Sequence, residues 1–358
     1  TQTLVLVKIT AEDGLAGWGE ATTIGGLGYG EESPESVKAN IETYFAPLLK
    51  SLKGLNVAQT MQAIKRNING NRFAKCAVQT ALLDIQAKRL GQPLSEVLGG
   101  RLRNSIPVLW VLASGDTGKD IAEAQKMIAA QRHNIFKLKI GSRAVEADVE
   151  HVLAIKQALG KDISIRVDVN RAWSELEAVK GISLLQNGGV DLIEQPCAID
   201  NIDAMERLTR KFDIAIMADE SLMGPHSAYH LAKRNAASVF AVKIAQSGGL
   251  IEGCEVGKIA KLAGIDLYGG TMLEGTLGTV ASLHAWSTLP LQWGTEMFGP
   301  LLLKDDIVSV PLSFADGEVV LVSFEQRYQS GNYSDVVNKQ LEWVKDGGDW
   351  KIRREAQL

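Results

Sequence analysis

The sequence predicts an α/β fold built on a closed barrel of parallel strands, preceded by a smaller region of hairpin and helices. Three observations predict it. From residue 106 onward, eight short β-rich runs, near 106–111, 136–140, 164–168, 190–194, 214–218, 239–243, 265–269 and 291–295, alternate with amphipathic stretches such as 120–130, 145–158 and 252–263. Strands alternating with helices indicate a parallel sheet, and eight of them argue for closure over an open sheet. Lys139, Asp168, Glu194, Asp219 and Lys243 sit at the ends of successive runs, with gaps of 29, 26, 25 and 24 residues, near the ~30 residues of one strand-loop-helix unit. Finally, 358 residues suit a barrel plus a smaller domain.

The elements follow in order. Residues 1–20 read as a hairpin, because two apolar runs flank Glu12-Asp13-Gly14 and Asp-Gly favours a tight turn. Residues 21–32 hold four glycines and read as a connecting loop or a mobile lid. Ser33-Pro34-Glu35 is a helix start, and Val37, Ile41, Tyr44, Phe45 and Leu48 keep helical spacing. Helices follow over 57–68 and 73–90, and Leu98-Gly99-Gly100-Arg101 reads as a hinge. Domain bounds of 1–104, 105–321 and 322–358 are expected, the first of them from this hinge. In the last segment the alternation stops. Val319–Glu325 and Gln340–Lys345, with a turn over Asp346-Gly347-Gly348-Asp349 before Trp350, read as β-meander strands.

Composition excludes several classes. The chain is 46% hydrophobic and 22% charged with a net charge of -4 and no basic tract, which argues against disorder and against nucleic acid as a partner. Cys76, Cys197 and Cys254 are scattered and odd in number, so reduced thiols and a cytoplasmic setting are expected. No apolar run reaches membrane-spanning length. The start inside a strand-like run without an initiator Met suggests a shortened N-terminus.

A lone acid at a strand end is usually a helix cap or a solvated loop residue. Asp168, Glu194 and Asp219 at three successive barrel positions point instead to a shared site at the C-terminal mouth, where barrel enzymes keep their chemistry. Ligation by carboxylates alone fits Mg²⁺ or Mn²⁺ and not zinc. The five histidines show no metal-binding spacing with these acids and read as surface or helix residues. Lys137 and Lys139 lie two apart, so both point into the barrel with Leu138 outside. Two buried lysines near a cation should each have a lowered pKa, which makes one a usable base. The plainer reading is that they only neutralise the acids. Lys243 enters from the far side of the barrel. Glu296, at the end of the eighth run, can reach the site as a hydrogen-bonding acid. The glycines of Gly269-Gly270 permit close backbone approach, while Gly25-Gly26-x-Gly28 is a weak phosphate signal without a nucleotide-binding unit behind it.

These motifs resemble the muconate lactonizing subgroup of the enolase superfamily. The resemblance is carried by Lys137-x-Lys139, Asp168-Val169-Asn170, Glu194-Gln195-Pro196, Asp219-Glu220-Ser221, Lys243, Gly269-Gly270-Thr271-Met272-Leu273-Glu274 and Thr295-Glu296-x-Phe298-Gly299-Pro300, and by residues 19–26 and 112–116. It covers roughly residues 1–321 and implies a (β/α)7β TIM-like barrel under an α+β capping domain, in an octamer. It implies Mn²⁺ or Mg²⁺ on Asp168, Glu194 and Asp219. It also implies interconversion of cis,cis-muconate, a small dicarboxylate, with muconolactone in catechol breakdown. Lys139 would deliver the α-proton, Lys137 would tune Lys139, Lys243 would stabilise the enolate, and Glu296 would orient substrate. Ile24, Tyr29 and Asn170 would line the pocket. Chloromuconate-converting members share every motif. Dipeptide epimerases carry Asp-x-Asp at the end of the eighth strand, where this chain has Thr295-Glu296-Met297-Phe298. An inert metal-binding barrel is the rival from outside enzymology. Family members normally begin one strand and one lid segment earlier and end with a Gly-rich segment. Residues from about 322 depart from that pattern and resemble the closing strands of NTF2-like domains.

Overall fold

The computed structural model describes residues 3–54, 56–304, 307–308, 312–315, 317–320, 339–346 and 349–357. Two compact units emerge, Thr1–Ser323 and Phe324–Leu358.

The first unit opens with the expected hairpin, β1 (Leu4–Thr10) antiparallel to β2 (Ala16–Thr22). Gly14 occupies the left-handed region at φ 84°, and Gly14 N donates to Ala11 O at 3.0 Å. Helix α1 (Pro34–Asn40) begins with a capping box in which Ser33 and Ser36 bond each other's backbone. It continues through a π-helical stretch, Ile41–Phe45, into α2 (Ala46–Ser51). Pro47 lacks the N–H that would continue the regular ladder, which accounts for the wider turn before it. Helices α3 (Val57–Asn67) and α4 (Arg72–Leu90) follow, then the single turn α5 (Leu94–Val97). Strand β2 lies directly on α4. A Cβ at Gly17 or Gly19 would collide with the α4 carbonyls of Ala81 or Ala77, so glycine is what lets strand and helix touch.

The chain then passes Gly99 and Gly100, both at positive φ, into β3 (Ser105–Pro107) and β4 (Trp110–Leu112). From here strand and helix alternate: α6 (Thr117–Ala129), β5 (Ile135–Lys139), α7 (Val145–Leu159), β6 (Ser164–Asp168), α8 (Glu175–Asn187), β7 (Leu192–Glu194), α9 (Ile202–Lys211), β8 (Ala215–Ala218), α10 (Pro225–Arg234), β9 (Val239–Val242), α11 (Ile244–Ser247), α12 (Leu250–Ala263), β10 (Asp266–Gly269) and α13 (Thr276–Trp286). Strands β4 to β10 form one parallel seven-stranded sheet in sequence order. Strand faces turned outward, such as Phe136, Leu138, Ile165, Val167 and Ile193, join the main apolar core with the helices.

Two expectations need correction. The first run, 106–111, is two strands, not one. Pro107 has no N–H for the ladder, and β3 leaves the barrel to pair with β12 (Glu318–Val320), which also pairs with β11 (Phe314–Ala315). The eighth run forms no extended strand. Thr295 alone bridges Val108 on one side and Gly269 on the other, both parallel, and the seam is held by Thr295 N to Pro107 O at 2.8 Å, Leu109 N to Thr295 O at 2.9 Å and Gly269 N to Gly294 O at 2.9 Å. Gly294 at φ 66° bends the chain out of the strand region just before that bridge. The barrel therefore closes as predicted, but through one residue.

The second unit holds a hairpin of β13 (Lys339–Asp346) and β14 (Asp349–Gln357), with Asp346 opposite Asp349 and a bulge at Glu342/Trp343. The expected turn at 347–348 and most of the predicted strand at 319–325 lie outside the described residues.

Candidate active site

Side chains on strands alternate, and that alternation builds the site. In register, Lys139 on β5 pairs with Asp168 on β6, and Asp168 pairs with Glu194 on β7. The next strand, β8, ends at Ala218, one residue before Asp219, so Asp219 stands two residues beyond Met217, the partner of Glu194. Lys243 follows directly on β9. Four strand positions around an eight-position ring separate β5 from β9, which sets Lys139 and Lys243 on opposite walls.

The predicted residues converge. Lys137 Nζ lies 2.8 Å from Glu194 Oε2 and 3.5 Å from Asp168 Oδ2, and it also pairs with Glu296. Lys139 Nζ donates to Asp168 Oδ2 at 2.9 Å and to Asn170 Oδ1 at 2.9 Å. Lys243 Nζ lies 2.7 Å from Asp219 Oδ2. Asn170 in turn is tied down, its N–H donating to Asp168 Oδ1 at 3.0 Å. The Tyr29 ring, from the glycine-rich segment, covers the Lys139 ammonium at 5.6 Å. Ile24 is half-buried against the apolar cluster of β1, β2 and α4. Gly270 makes room for Lys243, since a Cβ there would meet the lysine Cγ at 2.7 Å.

The expectation that both lysines are buried is corrected. Only Lys137 is buried on all sides; the Lys139 side chain, one layer nearer the mouth, is 37% exposed. Neither has a lowered pKa. Burial alone would pull Lys137 down, but Glu194 and Glu296 more than reverse this and hold it well above the usual lysine range. At Lys139 burial and the charge of Lys137 are likewise outweighed by Asp168, and Asp219 does the same for Lys243. Lysine-lysine repulsion is the weaker effect because each ammonium touches a carboxylate. Among the acids, burial would raise Asp168, yet Lys139 and Lys137 bring it to about 2. Burial and the neighbouring Asp168 push Glu194 well up.

No three carboxylate, imidazole or thiolate groups among the described residues converge as a ready metal cage, because the ammonium groups engage the acids instead. Two of these acids are nevertheless incomplete. Glu194 Oε1 and Asp219 Oδ1 are buried with no hydrogen-bond partner, and buried carboxylate oxygens are costly to leave so. All-oxygen donors with unspent lone pairs fit a hard divalent cation. Such an ion would be held by Asp168, Glu194 and Asp219.

Several contributing residues were given no role of their own in the sequence reading. Glu220 is buried beside Asp219. Burial, then the Asp219 charge, raises it to about 7, although Arg171 Nε lies 3.2 Å away. Gln195, at φ 36°, accepts from the N–H groups of Asp219 at 3.0 Å and Ser221 at 3.2 Å. Gln246 donates to Asp219 O at 2.7 Å. Arg166 and Tyr268 floor the site, with the guanidinium 5.8 Å from the phenol ring. Strand alternation could have found Arg166, two residues before Asp168 on the same face. The histidine reading changes at His133 alone, which is buried outside any helix, with His133 Nδ1 3.0 Å from Val108 O; His151 is a residue of α7.

Comparison with known proteins agrees with this geometry. Residues 1–99 match the N-terminal domain model of the mandelate racemase / muconate lactonizing enzyme family, and residues 119–323 match the enolase C-terminal domain-like model. The chain is 70% identical over 323 residues to muconate cycloisomerase 1 of Acinetobacter baylyi, covering 90% of this chain and 87% of that protein. It is 43% identical over 321 residues to a chloromuconate cycloisomerase of Cupriavidus necator, covering 89% and 86%. A crystal structure of muconate lactonizing enzyme from Pseudomonas fluorescens complexed with muconolactone superposes with a TM-score of 0.88 at 52% identity, covering 90% of this chain and 87% of that one. The chain therefore belongs to the mandelate racemase / muconate lactonizing enzyme family of the enolase superfamily.

Proposed function

We propose that the chain is a muconate cycloisomerase that interconverts cis,cis-muconate and muconolactone through an enolate. The observation that carries this is the placement of two ammonium groups, Lys139 and Lys243, on opposite walls around Asp168, Glu194 and Asp219. In the lactonizing direction one substrate carboxylate adds to the diene and forms the ring C–O bond. The electron pair moves onto the carboxylate at the other end, giving an enolate. The Lys139 ammonium then gives a proton to the α-carbon, and in reverse the neutral amine takes it back. Lys243 faces the enolate with positive charge. Lys137 is fully engaged by Glu194 and Glu296, so it orients carboxylates and offsets their charge rather than moving protons. Glu296 holds Lys137 and positions substrate. Asn170 fixes the Lys139 ammonium, and Tyr29 and Ile24 close the pocket above it. Asp168, Glu194 and Asp219 would hold a divalent ion, Mn²⁺ or Mg²⁺, whose charge would stabilise the enolate.

The identity to the muconate-converting relative, 70% against 43% for the chloromuconate-converting one, favours the unchlorinated substrate. Three buried free cysteines suit a reducing cytoplasm, and no described helix is long and apolar enough to cross a membrane. A homo-oligomer, octameric as the family resemblance implies, completes the proposal, together with the domain division at 104/105 and 321/322. The test is loss of the conjugated diene absorbance of cis,cis-muconate on adding purified chain with Mn²⁺, with an EDTA control. Metal-dependent loss with a lactone product is expected. A folded, Mn²⁺-binding chain that leaves the diene intact would refute the assignment.

A further inference from the structure

Glu20 lies on β2, in the hairpin, yet it reaches the barrel. It is 4% exposed. Its carboxylate accepts from Gly275 N at 2.7 Å and Gly278 N at 2.9 Å, the opening turn of α13. That helix has no side-chain cap from its own N-cap residue, Gly275, so a carboxylate from 255 residues away does the work of a cap.

What precedes α13 makes this contact matter. The segment from Thr271 to Glu274 connects β10 to the helix and is knotted on itself. Thr271 Oγ1 donates to Glu274 Oε2, Met272 N donates to the same oxygen at 2.9 Å, and Leu273 N donates to Thr271 Oγ1 at 2.9 Å. Leu273 sits at φ 59°, a left-handed conformation that a leucine keeps only when its surroundings impose it. Thr271 N in turn donates to Glu296 Oε1 at 3.2 Å, and Glu296 pairs with Lys137, which bonds Glu194. A continuous set of bonds thus runs from the hairpin, through the start of α13 and the strained loop, to the charged cluster.

We propose that Glu20 is a positioning residue for catalysis: by holding the first turn of α13 it sets the Thr271–Glu274 loop, and through it the Glu296 carboxylate against Lys137. The alternative is that Glu20 only fastens the hairpin to the barrel. The kinetic consequence rests on the cycloisomerase assignment, whereas the structural consequence does not.

Glu20→Gln keeps the size of the side chain and removes its charge and one acceptor. The measurements are kcat and KM for cis,cis-muconate, Mn²⁺ affinity, and amide hydrogen exchange over residues 270–278, each against wild type. The expected result is a kcat loss of about tenfold to a hundredfold, the size that small misplacements near a reacting centre produce, with KM and Mn²⁺ affinity within about twofold and faster exchange in the loop. Gly278→Ala attacks the same contact from the helix side. A Cβ there would meet Glu274 Cβ at 2.9 Å and Glu20 Cδ at 3.2 Å, while helix propensity favours the alanine. The same kcat loss is expected, so the test survives if Glu20→Gln does not fold. Wild-type kcat in a folded variant, with only a lower melting temperature, would reduce Glu20 to a fastener. Unchanged loop exchange would overturn the inference whether or not the chain turns over muconate. Absence of turnover in the wild-type chain would count against the assignment alone.

Discussion

The two ends of the barrel use acids in opposite ways. At the N-terminal end, Asp191 accepts from Ser164 Oγ at 2.7 Å and Ile165 N at 3.1 Å, and Asp266 accepts from Trp293 Nε1 at 2.9 Å. Their partners are neutral donors on neighbouring segments, and they line a shallow groove. At the C-terminal mouth, Asp168, Glu194 and Asp219 are met by ammonium groups, and Glu194 and Asp219 still keep one unpartnered buried oxygen each. An acid that splices strands together is satisfied by local dipoles. An acid kept for chemistry is compensated by charge, and at Glu194 and Asp219 one oxygen is left short of a partner. The contrast separates residues whose loss should cost stability from those whose loss should cost turnover.

The sharpest way to break that contrast is Lys139→Ala. Loss of the proton donor should lower kcat by about 10³-fold, within the usual range for general acid–base groups, while Mn²⁺ still binds. Turnover near wild type would sink the role given to Lys139. Acid stability offers a control that belongs to neither end. His284, in α13, is driven by burial and by Arg101 down to about 4, so the folded chain holds it neutral while the unfolded chain protonates it near ~6.5. The unfolded state then binds more protons between those values. Stability should fall as pH drops from about 6.5 to about 4, by up to ~3 kcal/mol, and then level off for this group. His284→Gln should flatten that part of a melting-temperature profile; an unchanged profile would assign the acid sensitivity elsewhere. The smallest effect is expected at the N-terminal end. Asp191→Asn should cost about 1 kcal/mol of stability and leave kcat and KM at wild-type values, and a kcat loss would mean that the two ends are not independent.

Much of the site was legible because the periodicities are simple. Lys137, Asp168, Glu194 and Asp219 follow from a side-chain repeat of two and a barrel unit of roughly thirty residues, Glu296 from the end of the eighth run, and Asn170 from the family resemblance. Arg166 was equally legible by alternation. Gln195, at φ 36°, and Gln246, in the single turn α11, were not, because each presents its amide to the Asp219 backbone and nothing in residue type announces it. The role of Glu20 was hidden for a different reason: it accepts from backbone N–H groups 255 and 258 residues away, contacts that leave no trace in side-chain pattern.

Sequence by itself determined which residues end which strands, and therefore that acids and lysines share one mouth, because strand alternation and unit length are local properties. Tertiary structure alone decided how they are charged and joined. One of Lys137 and Lys139 read as a base, but packed against Asp168, Glu194 and Glu296 both are held toward the ammonium form, since a buried charge answers to whatever lies within a few ångströms. The same holds for barrel closure through Thr295 and for the grip of Glu20 on α13. Both depend on which backbone groups the fold brings within hydrogen-bond reach.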